Sequence, residues 1–227
     1  MSAPQSSSSE ARVWDALAPH YDSTRASDPV YIAAVEQVIA DSHAHGTVLD
    51  AGCGTGFVSR ELLRRSLQVT AIDFSAASVE LLKSSCSGTL HADVGDIRTL
   101  PYADATFDTV ICANTLQHLV PADQAIAARE LMRVLKPGGT YSISVHHFSR
   151  EKEKAGWKKS GAPGDRSVDY IYRFSREELS GLFPGAQIRA VGFYGFRWQG
   201  LAAAAGHMLA RRGHGHMLIA HGRKTSA

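Results

Sequence analysis

The stretch Val48-Leu49-Asp50-Ala51-Gly52-Cys53-Gly54-Thr55-Gly56-Phe57 decides the fold of this chain, because an apolar run ends there in an acid and a glycine-rich loop. Short apolar runs before a turn are typical of buried parallel strands. Glycines let the backbone turn sharply and approach a ligand with no Cβ in the way. Phe57 stands where a dinucleotide-binding fingerprint has its last glycine. The acid, Asp50, would repel the pyrophosphate of a dinucleotide and attract a cationic ligand. The alternative interpretation is a tight turn that binds no ligand.

A second acid lies at the end of the next predicted strand. Residues 69–74 read Val-Thr-Ala-Ile-Asp-Phe, and Asp73 comes 23 positions after Asp50. In a doubly wound sheet, an acid at this place lies beside the first loop and can accept hydrogen bonds from both ribose hydroxyls. The alternative is a cap for the following helix, which Ser75 would serve equally well.

These motifs continue in order along the central 100 residues. They comprise Asp93-Val94-Gly95-Asp96-Ile97, Leu100-Pro101, residues 107–114 (Phe-Asp-Thr-Val-Ile-Cys-Ala-Asn), Leu116-Gln117-His118-Leu119 and residues 131–139 (Leu-Met-Arg-Val-Leu-Lys-Pro-Gly-Gly). With them the chain resembles the class I S-adenosylmethionine-dependent methyltransferases, in the group of ubiquinone-type and other small-molecule enzymes. The residues at 136–139 are interpreted as a structural helix stop, since glycine permits left-handed backbone and proline prevents continuation.

The resemblance implies a cofactor, S-adenosylmethionine, with S-adenosylhomocysteine as its product. Asp96 is expected to accept a hydrogen bond from the adenine amine, although a turn or cap acid is the alternative. Asn114 is expected to meet the methionine amino group, and Arg25 the methionine carboxylate. The predicted cofactor-binding residues are Tyr21, Arg25, Asp50, Gly52, Cys53, Gly54, Thr55, Gly56, Asp73, Phe74, Asp96, Ile97 and Asn114.

Methyl transfer depends mainly on positioning, and a base is needed only where the acceptor loses a proton. Histidine suits that role near neutral pH. His118, just after the fourth strand, is the first catalytic candidate, and a structural histidine is the alternative. By resemblance, Tyr21 is the second, lining the acceptor pocket and pairing with His118. His146 or His147, at the end of the fifth strand, is the third. No metal site is expected, because the spacing of the remaining C-terminal histidines, His207, His214, His216 and His221, matches no ordinary site.

Composition is consistent with one enzyme domain. The chain has 227 residues, 44% of them hydrophobic, and three cysteines whose number and spacing suggest neither disulfides nor zinc. Residues 1–10 are Ser-rich, predict a disordered tail and lack the apolar core of a signal peptide. No apolar run is long enough to cross a membrane, so a cytoplasmic location is expected.

Residues 1–146 have a net charge of −6 and residues 147–227 have a net charge of +8. The basic part suits an anionic acceptor, RNA or an ordinary solvated surface.

The order of elements predicts an α/β fold, and the resemblance implies a Rossmann-like, mostly parallel seven-stranded sheet with an antiparallel last strand and helices on both faces. One methyltransferase domain is expected over residues 11–227, with a helical cap over 11–45 and a lid over 146–170. The predicted helices lie at 11–22, 28–40, 58–66, 76–85 and 122–135, and another starts after the capping box at 175–178. The predicted strands include 89–94, 140–145, 187–193 and 216–221, of which the last two are expected to pair antiparallel.

The function expected from this is methyl transfer to oxygen, nitrogen or activated carbon of a small metabolite or natural-product intermediate. An aromatic or apolar acceptor would suit the aromatic residues of the C-terminal part, although at least half of these are expected to be core. They are Trp157, Tyr170, Tyr172, Phe174, Phe193, Tyr194, Phe196 and Trp198. The alternatives are a tRNA methyltransferase and a catalytically silent partner protein. We expect no membrane or nucleic-acid partner, and either a monomer or a homodimer.

Overall fold

A computed structural model describes residues 7–25, 28–86, 89–147, 156–159, 170–191 and 216–225. Side chains are described in these ranges except at 7–10, 23–25, 29–30, 156–159 and 170. The helices are α1 Ser7–Arg25, α2 Pro29–Ser42, α3 Phe57–Arg64, α4 Ala76–Ser85, α5 Pro121–Val134 and α6 Arg176–Leu182, with a single 3-10 turn at Leu116–His118. The strands are β1 Thr47–Ala51, β2 Gln68–Asp73, β3 Leu90–Val94, β4 Phe107–Ala113, β5 Leu135–His146, β6 Gly156–Lys159, β7 Tyr170–Arg173, β8 Gln187–Val191 and β9 Met217–Arg223.

Seven of these strands form one sheet in the order β3-β2-β1-β4-β5-β9-β8. The first five pair in parallel, and β9 runs antiparallel to both β5 and β8. The predicted fold class is therefore confirmed. Because the order reverses at β1 and β4, the loops after these two strands separate and leave a crevice at their carboxyl ends, where open α/β sheets bind ligands.

Apolar side chains cover both faces of the sheet. On one face Val48, Val69 and Ile111 pack with the buried side of α2 and α3, and α4 continues this layer over β2 and β3. On the other face Leu49 and Val110 belong to the largest cluster, which includes residues of α5 and α6. Alternating residues of β1 thus face opposite layers, as the pleat requires.

The structure differs from the predicted elements at three places. Strand β5 begins at Leu135 rather than at residue 140, so residues 136–139, predicted as a helix stop, lie in the strand directly after α5. Helix α1 begins at Ser7, inside the segment predicted as a disordered tail over residues 1–10. Serines are common at helix starts, so a Ser-rich sequence does not separate a tail from a first turn. Strands β6 and β7, a separate antiparallel pair within and beside the predicted lid, have no counterpart among the predicted elements. The rest of that lid, and the aromatic residues at 193–198, lie outside the described residues.

Asp108 joins three strands at the end of the sheet opposite the crevice. Its carboxylate accepts hydrogen bonds from the backbone N–H and the hydroxyl of Thr47 at 2.9 and 2.8 Å, and from Lys136 Nζ at 2.7 Å. The hydrogen bond from Lys136 is the main reason that the pKa of Asp108 is lowered to about 2. Lys136 therefore has a structural role here, as expected for the segment at 136–139.

This network predicts a pH-dependent contribution to stability. Because the folded-state pKa of Asp108 lies below its ordinary value of 3.8, the stabilisation is present above about pH 4 and is lost as the pH falls toward 2. We expect Asp108→Asn to lower the free energy of unfolding by about 1 kcal/mol at pH 6, with a smaller difference at pH 3. Urea unfolding at both pH values measures this. The matched variant of exposed Asp104, Asp104→Asn, is expected to show little change, and an Asp108 effect independent of pH would contradict the assignment.

Candidate cofactor site

The glycine loop between β1 and α3 is shaped by close contacts that exclude larger residues. Gly52 and Gly56 have φ values of 72° and 93°, in the left-handed region. A Cβ on Gly52 would lie 2.2 Å from Thr115 Oγ1, and one on Gly56 would lie 2.2 Å from Leu82 Cδ1. A Cβ on Gly54 would meet nothing within 4 Å. The two outer glycines thus hold the loop against its neighbours, and the middle one borders open space.

Gly52→Ala is expected to be strongly destabilising, because it combines an unfavourable φ with a steric clash against Thr115. Gly54→Ala shares the positive φ, at 50°, but has no clash. We expect Gly52→Ala to cost about 2–4 kcal/mol of unfolding free energy and Gly54→Ala about 1 kcal/mol. Thermal and urea unfolding of the pair would measure the difference, and equal losses would argue against the Thr115 contact.

Asp73, at the end of β2, is bound to the glycine loop. Its carboxylate accepts hydrogen bonds from the backbone N–H groups of Gly54 at 2.8 Å and Ser75 at 2.9 Å. Burial raises the pKa of Asp73, and these backbone hydrogen bonds act against that rise. Ser75 caps α4 through its own hydroxyl, which accepts from the N–H of Ser78. Ser75 therefore caps α4, and Asp73 joins the loop after β1 to the loop after β2.

Asp50 lies beneath the loop. Its side chain is fully buried, with 1% of its surface exposed, and accepts a hydrogen bond from the Ser59 hydroxyl at 2.5 Å. Burial raises the pKa of Asp50 to about 7, with a further rise from nearby Asp73. Burial also raises the pKa of the Cys53 thiol. A positive charge in the crevice would favour the ionised form of Asp50.

Helix α1 is attached to both of these loops by acids. Asp15 accepts hydrogen bonds from the Ser75 hydroxyl at 2.7 Å and from the Ala77 N–H at 3.1 Å, at the start of α4. Asp22 accepts from the Thr55 hydroxyl and pairs with Arg60 at 2.9 Å. The helix therefore lies across the crevice, with contacts to the loops after β1 and β2.

Aromatic side chains connect α1 with the 3-10 turn after β4. Trp14 packs edge-on against His118 with ring centroids 4.8 Å apart, and against Tyr21 at 6.2 Å. The structure thus brings two predicted catalytic residues, Tyr21 and His118, to the same side chain. The sequence interpretation missed Trp14 and Asp15. For Trp14 a signal exists, since Trp14 and Tyr21 are seven residues apart and share one helix face.

Tyr21 also lines a second opening next to this aromatic row. It is a cleft of about 230 Å³ between the end of α1 and helices α2 and α3. Asp22, Tyr31, Phe57 and Arg60 contribute to its walls, and Tyr31 packs edge-on against Phe57 at 5.9 Å.

The loop after β3 holds Asp96 in an ion pair. Arg98 Nη2 lies 2.6 Å from one oxygen of the Asp96 carboxylate and Arg98 Nη1 lies 2.6 Å from Asp123. The hydrogen bond to Asp96 is the main cause of a raised pKa at Arg98. Ile97 is buried in the core below the loop, and Phe74 is half-buried beside Asp73.

Asn114 ends β4 in left-handed backbone, with φ of 56°. Its N–H donates to the Ser144 carbonyl at 3.0 Å, and its Oδ1 accepts from the Ser144 hydroxyl at 3.2 Å. Within the described part of the chain, the buried Nδ2 of Asn114 has no hydrogen-bond partner. A buried amide donor at the crevice is a group that a polar ligand would satisfy.

The other predicted residues lie at the ends of strands or outside the described side chains. His146 ends β5, where its N–H donates to Gln117 Oε1 at 3.1 Å beside His118. His147 Nδ1 lies 2.7 Å from the Phe174 carbonyl, and burial lowers the pKa of His147. Arg25 is the last residue of α1, and its side chain is not described. Among the described residues no group of three metal-binding side chains occurs.

Known proteins share both the motifs and the fold. Residues 48–139 match a methyltransferase domain family. A 107-residue region, 44% of this chain, is 38% identical to the ubiquinone/menaquinone biosynthesis C-methyltransferase UbiE of Geotalea daltonii. The matched residues, 48–139, therefore belong to a methyltransferase domain. A tRNA (carboxymethyluridine(34)-5-O)-methyltransferase of Arabidopsis thaliana is 35% identical over 142 residues, or 62% of this chain.

The fold of this methyltransferase domain also occurs in a solved N-methyltransferase. The 1,6-didemethyltoxoflavin-N1-methyltransferase of Burkholderia thailandensis has a TM-score of 0.68 and 19% identity, and covers 100% of this chain and 94% of its own. The matches to the two curated relatives span 45% and 33% of their lengths. Within the described ranges, no helix of the methyltransferase domain has the length and apolar character needed to cross a membrane.

Proposed function

We propose that this protein transfers a methyl group from S-adenosylmethionine to a nucleophilic oxygen, nitrogen or activated carbon of a small metabolite or natural-product intermediate. The observation that carries the proposal is the placement of Asp73. Its carboxylate ends β2 at the crevice and is fixed by the N–H groups of Gly54 and Ser75. A fixed acceptor beside a glycine loop fits the two hydroxyls of a ribose.

The surrounding residues fit the rest of the cofactor. Gly54 borders open space, so a ligand can approach its backbone closely. The buried Nδ2 of Asn114 is a donor, which suits the methionine carboxylate rather than the amino group expected from the sequence. Asp96 is an acceptor suited to the adenine amine. Phe74 supplies apolar contact to the ring. Asp50 acts from below through its charge, since its burial leaves no surface for direct contact.

When bound, the cofactor would supply a methyl group on a sulfonium: a nucleophile in line with the carbon–sulfur bond would bond to the methyl carbon, and the electron pair of the broken bond would return to sulfur. The task of the protein is therefore to position the acceptor and exclude water. Trp14, Tyr21 and His118 form one wall of the crevice, where α1 crosses it. His118 removes the proton of a hydroxyl, amine or acidic carbon, while Tyr21 and His146 orient the acceptor.

Two further candidate functions follow from specific observations. A tRNA substrate is favoured by the relative from Arabidopsis thaliana and by the net charge of +8 on residues 147–227. A cofactor-binding partner protein without turnover would share the fold. Such a protein would still need Asp73 and Asp96 to hold the cofactor, so only methyl transfer separates it from an enzyme.

The test is calorimetric binding of S-adenosylmethionine and S-adenosylhomocysteine, followed by transfer of a labelled methyl group into separated small-molecule and RNA fractions. Saturable binding with label in the small-molecule fraction is the expected result. Label in RNA would support the tRNA alternative, and binding without transfer to any fraction would support the partner protein. Absence of binding would overturn the proposal.

A further inference from the structure

Arg98 holds the carboxylate of Asp96 through three separate donors. Its backbone N–H donates to Asp96 Oδ1 at 2.8 Å, its Nε lies 3.0 and 2.9 Å from the two oxygens, and its Nη2 donates to Oδ2 at 2.6 Å. Planar guanidinium and planar carboxylate are matched in such a fork, which fixes orientation as well as charge.

The donors of Arg98 leave the Asp96 carboxylate able to accept one more hydrogen bond. An ionised carboxylate offers about four acceptor positions on its two oxygens. Arg98 engages them with three N–H groups, because its Nε–H is shared between the two oxygens, and the Asp96 side chain keeps 32% of its surface exposed. Asp96 can therefore accept one further hydrogen bond, in a direction that Arg98 determines.

Arg98 is itself anchored from its other side. Its Nη1 donates to Asp123 at 2.6 Å, in the first turn of α5, where an acid is favoured by the helix dipole. Glu130, further along α5, accepts from the backbone N–H of Leu100 at 2.9 Å. The loop after β3 is thus held by α5 at two points, which keeps the fork in one arrangement.

We propose that Arg98 is a positioning residue that fixes Asp96 as an acceptor and so sets the preference of the site for an adenine amine over a 6-oxo purine. The inference rests on the proposed function, since it takes the crevice as the cofactor site. A carboxylate that is held by a guanidinium cannot rotate to present a different edge. It accepts a hydrogen bond from the exocyclic amine of adenine, and it repels the carbonyl oxygen that hypoxanthine has at the same place.

The test compares two probes that differ only at this position, S-adenosylhomocysteine and S-inosylhomocysteine. Calorimetry should show that the unmodified protein binds the adenine probe about 10- to 100-fold more tightly, the value of one hydrogen bond to a charged group. In Arg98→Gln this ratio should fall to within a few-fold of one. A ratio unchanged by the substitution would overturn the inference.

Two more variants keep the test decisive. Asp123→Ala leaves the fork in place and removes its anchor, so we expect an intermediate ratio if Arg98→Gln fails to fold. An unchanged ratio in a folded Asp123→Ala would then count against the inference. Arg129, on the exposed side of the same helix, supplies the matched control Arg129→Gln, whose ratio should equal that of the unmodified protein. If the unmodified protein binds neither probe, the proposed function fails, which is a different outcome.

Discussion

Asp73→Ala is expected to weaken the binding of S-adenosylhomocysteine by about 10²- to 10⁴-fold. Two ribose hydroxyls would each lose a hydrogen bond to a charged group, and each such bond contributes about 1.5–3 kcal/mol. The substitution also removes the acceptor for the Gly54 N–H, which ties the glycine loop to β2. Both effects act on the cofactor-binding loops, so the loss should appear in cofactor affinity.

Calorimetric titration of the variant measures this effect, and thermal unfolding shows whether the fold is retained. Asp104→Ala is the matched control. Asp104 is also an acid, but 80% of its side chain is exposed and its ion pair is with Arg133 of α5. Its affinity should equal that of the unmodified protein. An unchanged affinity in a folded Asp73→Ala protein would remove Asp73 from the ribose site.

His118→Ala is expected to lower turnover by about 10²- to 10⁴-fold, the usual contribution of a general base. The affinity for S-adenosylhomocysteine should change much less, because His118 is assigned to the acceptor rather than to the cofactor. Its ring packs against Trp14 at 4.8 Å, so a smaller side chain also loosens the contact between α1 and the turn after β4.

Single-turnover methyl transfer separates these two effects. A fall in the transfer rate at saturating cofactor would support the base, whereas a fall in cofactor affinity alone would make His118 a binding residue. His91→Ala is the control, since 69% of the His91 side chain is exposed on β3. Trp14→Phe shows how much of the loss comes from the packing of α1.

The elements with strong local patterns were predictable from the sequence. The apolar run and glycine loop at 48–57 gave β1 and the start of α3, and helix α4 was predicted with the bounds that the structure has. The capping box at Ser175 and Glu178 is present, with both of its hydrogen bonds. These features depend on residues within one turn or one strand, so the local sequence contains the information that determines them.

Pairing between distant segments was harder to predict from the sequence. Strands β6 and β7 are separated by a stretch of charged and glycine-rich sequence. This part of the chain has no periodic pattern that predicts a strand. The antiparallel end of the sheet was predicted through the resemblance, and the structure confirms it. The roles of the site residues are predictions that the substitutions above test.

The sequence alone determined the alternation of strands and helices from β1 to β5, the glycine loop and the two acids near the ends of β1 and β2, because each is encoded by neighbouring residues. Only the tertiary structure decided what these acids do. It buried Asp50 under Ser59 and fastened Asp73 to Gly54, and it placed Trp14 against His118, over 100 positions away in the chain. Such contacts arise from the packing of α1 and α3 around the sheet, and packing is a property of the folded chain that no local pattern contains.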